Sequence, residues 1–509
     1  MPSAQTCVLA LYFAIVGVLS VYGWHLAYVI YLYFRHRGKA PRAGGALQSL
    51  PRVTVQLPIY NEMYVVDRLL DAVAGLDYPR ELLEIQVLDD STDETCEIAR
   101  MAVRRIAARG IDVKYLHRAD RTGFKAGALQ AGLAVAKGEF IAIFDADFVP
   151  APDFLRRLLP HFADPGVGMV QSRWGHLNGQ YSLLTKIQAL MLDAHFIFEH
   201  GGRSRSGCFF HFNGTGGIWR RKTILAAGGW EFDTLTEDLD LSYRAQLQGW
   251  RFVYLQDVVS PAEVPIEING FKAQQRRWTK GNAQSCFKLL PRVLRARLPL
   301  RVKVEAIFHL TSSFCHPLVL AMSILTVPAM SFLLRIGALP WYEKLLLNVL
   351  LVSSTVSALC FYAFSQSRLH RDWMRRLRHL PVLFAIGIGI SVNNTRAILE
   401  ALLRKQNVFV RTPKYGTVEG SGAADWSGKK YSQPMSIQPL VELGLAGYFL
   451  AAECYVISKG LYLALPSLLT FQFGFLFMGV LSLLQQRDSK PVRRKVGTGT
   501  ERREAGSTP

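Results

Sequence analysis

Apolar residues along this chain follow two different rhythms. In the first, charge is nearly absent over long runs: 8–34, 304–335, 344–366, 437–458 and 461–485. A helix crosses a hydrocarbon core with roughly 20 residues, so each run predicts a membrane span. A sixth run, "LPVLFAIGIGISV" at 380–392, is shorter and glycine-rich, the size of a re-entrant or interfacial piece. The amphipathic stretch "NNTRAILEALLRK" that follows suits a helix lying in the headgroup plane.

The second rhythm fills the block from about 49 to 285. Strand-like runs, "RVTVQLPIY", "LEIQVLDDS", "VKYLHR" and "EFIAIFDADF", alternate with helical patterns at 63–75, 93–109 and 125–137. Such alternation predicts an α/β domain with a mainly parallel sheet. The expected layout is an anchor at 1–48, the soluble domain at 49–285 and interfacial helices at 286–303. Spans follow at 304–366, then a re-entrant segment and loop at 367–436, spans at 437–485, and a disordered basic tail at 486–509.

A net charge of +20 invites a nucleic-acid partner, but its placement points elsewhere. Basic clusters follow the spans: "RHRGKAPR", "SRLHRDWMRRLRH" and "RDSKPVRRK". That is the distribution of cytoplasmic loops in a membrane protein. It predicts an outside N-terminus, with 35–303, the loop 404–436 and the tail cytoplasmic, and it argues against nucleic acid. The first apolar run exceeds a signal-peptide core and lacks a small-residue cleavage site, so it reads as a retained anchor. Seven scattered cysteines without a C-x-x-C pair read as reduced packing residues.

Chemistry enters at the strand ends. The run Phe140–Phe144 ends in Asp145 and Asp147, two carboxylates that an extended chain points to one face. Their repulsion is relieved either by a divalent cation, which takes carboxylate oxygens, or by full solvation in a turn. Asp89 and Asp90 sit at another strand end, and ligands of parallel sheets bind beyond the carboxyl ends of strands. Two acidic strand ends in one domain favour the cation. Further on, "TEDLDLSYRA" places Glu237, Asp238 and Asp240 at a helix start, with Thr236 as a potential cap. In "QQRRW", Arg276 and Arg277 beside Trp278 suit a phosphate clamp with a stacking surface, or else a basic helix on anionic lipid.

Taken in order, "QLPIYNE", "IQVLDDSTD", "GFKAGAL", "IFDADF", "FNGTGGIWR", "TEDLDLSYRA" and "QQRRW" resemble the membrane-integrated family 2 glycosyltransferases. These include cellulose synthase and, more similar still, the cellulose-synthase-like A and C branches that make mannan, glucomannan and glucan backbones. The likeness runs through about 50–290 and continues in "FVRTPK", which is similar to the gating loop of cellulose synthases. Where cellulose synthase has a cysteine-containing acceptor segment, this chain has "FNGTG", as the A and C branches do.

The resemblance implies a GT-A (Rossmann-like) α/β domain inserted between transmembrane helices of an inner or plasma membrane. It implies an inverting transfer from a nucleotide sugar, UDP-glucose or GDP-mannose, to a growing glycan or lipid acceptor. Pro58, Asn61, Glu62, Asp89 or Asp90, Lys125 and Asp145 would hold the donor, and Asp145 and Asp147 would bind Mg2+ or Mn2+. Asp238, next to Glu237, would be the catalytic base. Gln274, Arg277 and Trp278 would hold the diphosphate and the acceptor end, and Thr412 and Lys414 would close over the donor. Asn213, Gly214 and Thr215 would lie on the acceptor side. Two outcomes stay open from sequence: a β-linked polysaccharide delivered through the bundle, or a single sugar added to a membrane lipid. Intact acids at each expected position weigh against a non-catalytic protein.

Overall fold

The computed structural model describes residues 4–39, 45, 49–336, 341–405, 409–418, 431 and 437–488. Seven strands form one sheet: β1 Val53–Ile59, β2 Leu83–Asp89, β3 Asp112–His117, β4 Phe140–Ile143, β5 Val167–His176, β6 Gly217–Arg220 and β7 Arg251–Ala262. Their order is β3-β2-β1-β4-β6-β5-β7, and only β6 runs antiparallel to its neighbours. The expected mainly parallel sheet is present. Helices Val66–Ala74, Thr95–Ala107 and Phe124–Val135 fall inside the three expected helical segments, give or take a residue.

β1 shows why the sheet is laid down this way. Val53, Val55, Leu57 and Ile59 point to one face and join the large apolar core with Leu69, Leu70 and Val73 of the first helix. Thr54 and Gln56 point to the other face, and both are fully buried. They are satisfied across the ladder, where the Thr54 hydroxyl donates to Glu84 at 2.6 Å and the Gln56 amide to Gln86 at 3.0 Å. Because strand side chains alternate, a one-residue slip would move every one of these groups to the wrong face. The register Thr54 with Glu84 and Gln56 with Gln86 is therefore held by polar pairing as well as by the core.

That register aligns Ile59 of β1 with Asp89 of β2, and the Asp90 amide continues the ladder by donating to the Ile59 carbonyl at 2.9 Å. β4 is a short strand, its last paired residue Ile143 lying beside Gln56 and Gly217. Asp145 and Asp147 thus leave the sheet on the same rim as Tyr60–Glu62 and Asp90.

Among the described residues, five helical stretches are long and apolar enough to cross a membrane: Ala4–Arg35, Leu300–Leu333, Trp373–Leu402, Gln438–Ser458 and Tyr462–Gln485. Four coincide with expected spans. The fifth covers the segment expected to be re-entrant and interfacial, and 56 % of its apolar window is buried inside the protein, more than in any of the other four. It is built in pieces, with a helix at Leu380–Gly389 and another at Ser391–Leu402. Residues just before it and residues within its second helix are bonded to the α/β domain and to helix Ile268–Arg295. Gln366 and His370 meet Asp193 at 3.0 and 3.1 Å, and Asn393 donates to the Lys272 carbonyl at 3.0 Å. The remaining expected span, 344–366, falls in helix Trp341–Leu369, whose side chains at 343–348 and 351 lie outside the described residues. The expected tail lies outside them from 489 onward.

Helix Ile268–Arg295 joins the two parts of the molecule. At its start, the Ile268 amide donates to Gln485 at 2.7 Å. One turn later Lys272 is buried between Glu442 at 2.6 Å and Ser482 at 2.7 Å, both on span helices.

Candidate active site

The strand ends, the start of helix Glu237–Leu247, helix Ile268–Arg295 and the segment 409–414 enclose one cleft. Of the residues expected from sequence, Pro58, Glu62, Asp90, Lys125, Asp145, Asp147, Asn213, Gly214, Glu237, Asp238, Gln274, Arg277, Trp278, Thr412 and Lys414 line it. Asn61, Asp89 and Thr215 stand behind the wall. Asn61 takes a left-handed backbone, φ 54°, and ties the β1 loop to the β2 loop by donating its amide to Ser91 at 2.7 Å. Asp89 is fully buried, accepting from the Ser91 amide at 2.9 Å and the Tyr115 hydroxyl at 2.5 Å. Of the two candidate donor-site acids on β2, Asp90 is the one that faces the cleft. Arg118 grips it with two bonds of 2.8 and 2.6 Å. Thr215 positions the backbone of Asp145, whose amide donates to its hydroxyl at 2.9 Å.

The two carboxylates that opened the question each carry a lysine. Lys125 Nζ lies 2.5 Å from Asp145 Oδ1 and also donates to the Gly214 carbonyl at 3.0 Å. Lys414 Nζ lies 2.7 Å from Asp147 Oδ2. Burial opposes the charge on Lys125, but Asp145, Glu237 and Asp238 outweigh it and its pKa is raised.

Glu237 and Asp238 have no such partner. Neither makes an ion pair among the described residues, and Asp238 Oδ1 accepts only from the Leu239 amide at 2.8 Å. Burial first, then the neighbouring Glu237, pushes the Asp238 carboxyl up to about 7, and burial raises Glu237 as well. An acid raised toward neutrality by its surroundings is suited to exchange a proton at physiological pH. Gly214 lies directly against it. A Cβ there would meet Asp238 Oδ2 at 3.1 Å, and φ of +78° favours glycine.

Arg277 faces the acids, and burial lowers its pKa against the pull of Asp145, Glu237, Asp238 and Asp147. Arg276, expected to share in a phosphate clamp, instead pairs with Glu400 of the neighbouring helix. Successive helical residues diverge by about 100°, so the two arginines cannot serve one ligand side by side. Thr236 also departs from expectation. It precedes the helix but makes no side-chain cap, its hydroxyl lying 3.1 Å from that of Ser285.

The segment 409–414 folds over the cleft. Arg411 forms a two-bond pair with Glu62 at 3.0 and 2.6 Å, and burial pushes the Glu62 carboxyl up against that pull. Thr412 Oγ1 is buried without a hydrogen-bond partner. Phe409 stacks near Arg277, 4.8 Å from guanidinium carbon to ring centre, and Arg121 lies over Tyr60 at 3.2 Å. Tyr60, Arg121, Trp174, His176, Glu263 and Phe409 are cleft residues that sequence reasoning did not single out. Phe409 stands in the quoted "FVRTPK". Tyr60 stands in the quoted "QLPIYNE", and the remaining four gave no local signal.

Asp145 and Asp147 fit a hard divalent cation. They offer carboxylate oxygens on one rim, and the structure sets a positive group on each of them.

Residues 51–281 match the family model described as glycosyltransferase like family 2. The chain is 32 % identical over 452 residues to "Glucomannan 4-beta-mannosyltransferase 1" of Oryza sativa subsp. japonica, covering 85 % of this chain and 84 % of that protein. It is 32 % identical over 451 residues to "Glucomannan 4-beta-mannosyltransferase 2" of Arabidopsis thaliana, covering 85 % and 82 %. Among solved structures, it resembles a mannosyltransferase from Pyrobaculum calidifontis in complex with GDP-Man and Mn2+, with a TM-score of 0.50 and 22 % identity, over 78 % of this chain and 100 % of that one. That likeness supports the GT-A fold. With five helices of spanning length attached to that fold, the chain belongs to the membrane-integrated family 2 glycosyltransferases, alongside the cellulose-synthase-like glucomannan mannosyltransferases, and is a hexosyltransferase.

Proposed function

We propose that this enzyme polymerises mannosyl units from a nucleotide sugar into a β-linked polysaccharide and passes the product into its own membrane bundle. The observation that carries this is the double duty of helix Ile268–Arg295. Gln274, Arg277 and Trp278 line the cleft, while Ile268 and Lys272 are bonded into the helices Gln438–Ser458 and Leu465–Asp488. The acceptor side of the cleft therefore adjoins the bundle. A growing glycan cannot cross lipid unaided, because unsatisfied hydroxyls are costly in hydrocarbon. The names of the plant relatives support mannose as the sugar and β-1,4 as the linkage.

In the transfer, Asp238 takes the proton of the acceptor hydroxyl as it attacks the anomeric carbon from the face opposite the diphosphate. The configuration there inverts. Glu237 keeps the Asp238 carboxyl raised, and Lys125 holds the rim acids and the Gly214 carbonyl in place. Arg277 faces the diphosphate, and Trp278 offers a face to the acceptor sugar. Asp145 and Asp147 would hold Mg2+ or Mn2+, which when bound offsets diphosphate charge. Arg411, Thr412 and Lys414 close over the donor. The segment 373–402, tied to the α/β domain just before it begins and to helix Ile268–Arg295 from within it, would enter the membrane boundary and return, keeping the loop beside the catalytic domain on the cytoplasmic side.

Purified enzyme in detergent, given labelled GDP-mannose or UDP-glucose, tests the reading by product size. A β-mannanase-sensitive polymer that lengthens with time at constant enzyme is expected from GDP-mannose. A lipid carrying one sugar, however long the incubation, would replace the synthase with a lipid glycosyltransferase.

A further inference from the structure

Beside the cleft, and outside the residues just assigned to transfer, three histidines converge. His195 and His200 lie on a π-helical stretch, His195–His200, and His211 enters from the segment that leads to Asn213. One donor nitrogen from each falls within 4.8 Å of the other two. Ring centres are 4.5, 5.1 and 5.9 Å apart. Imidazoles bound to one tetrahedral Zn2+ at about 2.0–2.1 Å have ring centres about 5 Å apart. A π-helical turn is rare, and it is found mostly at functional sites.

The outer contacts are those of ligands. A metal-binding histidine hands its second nitrogen to a carboxylate or a backbone carbonyl. His195 Nδ1 lies 2.9 Å from Glu199 Oε2, and His200 Nε2 lies 3.0 Å from the His211 carbonyl. His200 thus keeps Nδ1 for the cluster, while His195 Nε2, like His211 Nε2, lies 3.3 Å from Asn213 Nδ2, which an ion would displace. His200 is fully buried, and its Nδ1 has no hydrogen-bond partner. The same holds for His211 Nδ1 and for Asn213 Oδ1, both buried atoms. Buried polar atoms are normally paired, so two unpartnered imidazole nitrogens in a cluster whose donor atoms come within 4.8 Å of one another mark room for an occupant. Arg203, the positive group beside the cluster, is offset by Glu199 at 3.2 Å and by Glu305 at 2.8 Å, and Glu305 also meets His25 at 2.9 Å. Of the other two clusters of comparable shape among the described residues, Glu231, Asp233 and Asp240 are already filled by Lys288 Nζ at 2.6, 2.8 and 2.9 Å, and in the group Asp89, Cys96 and His117 the aspartate already accepts from the Ser91 amide and the Tyr115 hydroxyl.

We propose that His195, His200 and His211 bind one borderline divalent cation of the Zn2+ type, separate from the Mg2+ or Mn2+ of the strand-end acids. Imidazole nitrogens select such an ion, whereas Mg2+ and Mn2+ favour oxygen. The ion ties the π-helical turn to the segment carrying Asn213 and Gly214, and so sets the acceptor wall of the cleft.

The test uses the full-length enzyme in detergent, stripped with chelator and titrated with Co2+ as an optical probe. One equivalent with the intense visible bands of tetrahedral cobalt is expected, displaced by Zn2+. The Asp147→Ala enzyme should keep it. His211→Ala should lose it, and so should His195→Gln, which changes a partly exposed residue and is the safer variant for folding. A thermal melt checks that each variant is folded. If neither histidine variant folds, the spectrum in the Asp147→Ala background decides. Absence of that equivalent, its persistence in a folded histidine variant, or its loss with Asp147→Ala would overturn the proposal.

Discussion

The acids at the end of β4 and those at the start of helix Glu237–Leu247 share one cleft and differ in company. Asp145 and Asp147 each face a lysine, at 2.5 and 2.7 Å. Glu237 and Asp238 are buried side by side with no ion pair among the described residues, and burial raises both. Identical chemistry is thus divided into two tasks by surroundings alone. Paired acids face a positive group already, as a cation site would. Unpaired buried acids resist ionisation, which prepares them to accept a proton.

The strongest way to break this contrast is Asp238→Asn. Turnover should fall by roughly 10²–10⁴, the usual worth of a general base, while donor binding measured by calorimetry is kept. Normal turnover would remove Asp238 from its role. Asp147→Ala should act on the other side of the divide, weakening divalent-metal and donor binding by on the order of 10–100-fold or more. Chelator should silence the wild type, and full activity in EDTA would overturn the cation reading.

The pH profile sharpens the same contrast. In the proposed role Asp238 would work deprotonated, so kcat/KM should rise with pH up to about 7 and then level, with tenfold lost per unit below that limb. The limb should vanish in Asp238→Asn. Stability carries the opposite sign. The folded state holds this proton more tightly than the unfolded chain does, so the contribution is full below the ordinary carboxylate range and is lost as pH rises to about 7. Next in size is Gly214→Ala, which forces a side chain into a left-handed backbone at a cost of about 1–2 kcal/mol and crowds Asp238. A lowered Tm together with a larger fall in kcat than in donor affinity is expected. The smallest effect should come from Arg276→Ala, since that side chain faces Glu400 and not the cleft. A loss of donor affinity matching that of Arg277→Ala would restore the two-arginine clamp.

The parallel half of the domain was legible because buried strands and amphipathic helices alternate there without interruption. β1, β2 and β4 could be read, and with them the rim where the acids gather. β5 to β7 were not. "VGMVQSRWGH" mixes polar and apolar residues without a clean period, and β6 is four residues long and antiparallel. The likeness to a known family located the acids, Gln274, Arg277, Trp278 and the loop in advance. It could not show which neighbour turns away, as Asp89 and Arg276 do, because that depends on packing against Tyr115 and Glu400. Contacts such as Arg121 over Tyr60 and the gathering of His195, His200 and His211 join residues that local pattern does not connect.

Helix Ile268–Arg295 also has a metric consequence. Lys272, locked into the bundle, and Trp278, in the cleft, are six residues apart on one unbroken helix, or about 9 Å along its axis. The reaction centre and the membrane entrance are therefore geared to each other by helical phase. Inserting one residue between them would turn the cleft side chains by about 100° relative to the bundle, whereas seven would restore their facing while moving them about 10 Å apart. On the proposed synthase reading, such an insertion would keep every cleft group but lose its alignment with the bundle, so transfer to short soluble acceptors and delivery of long product would part company.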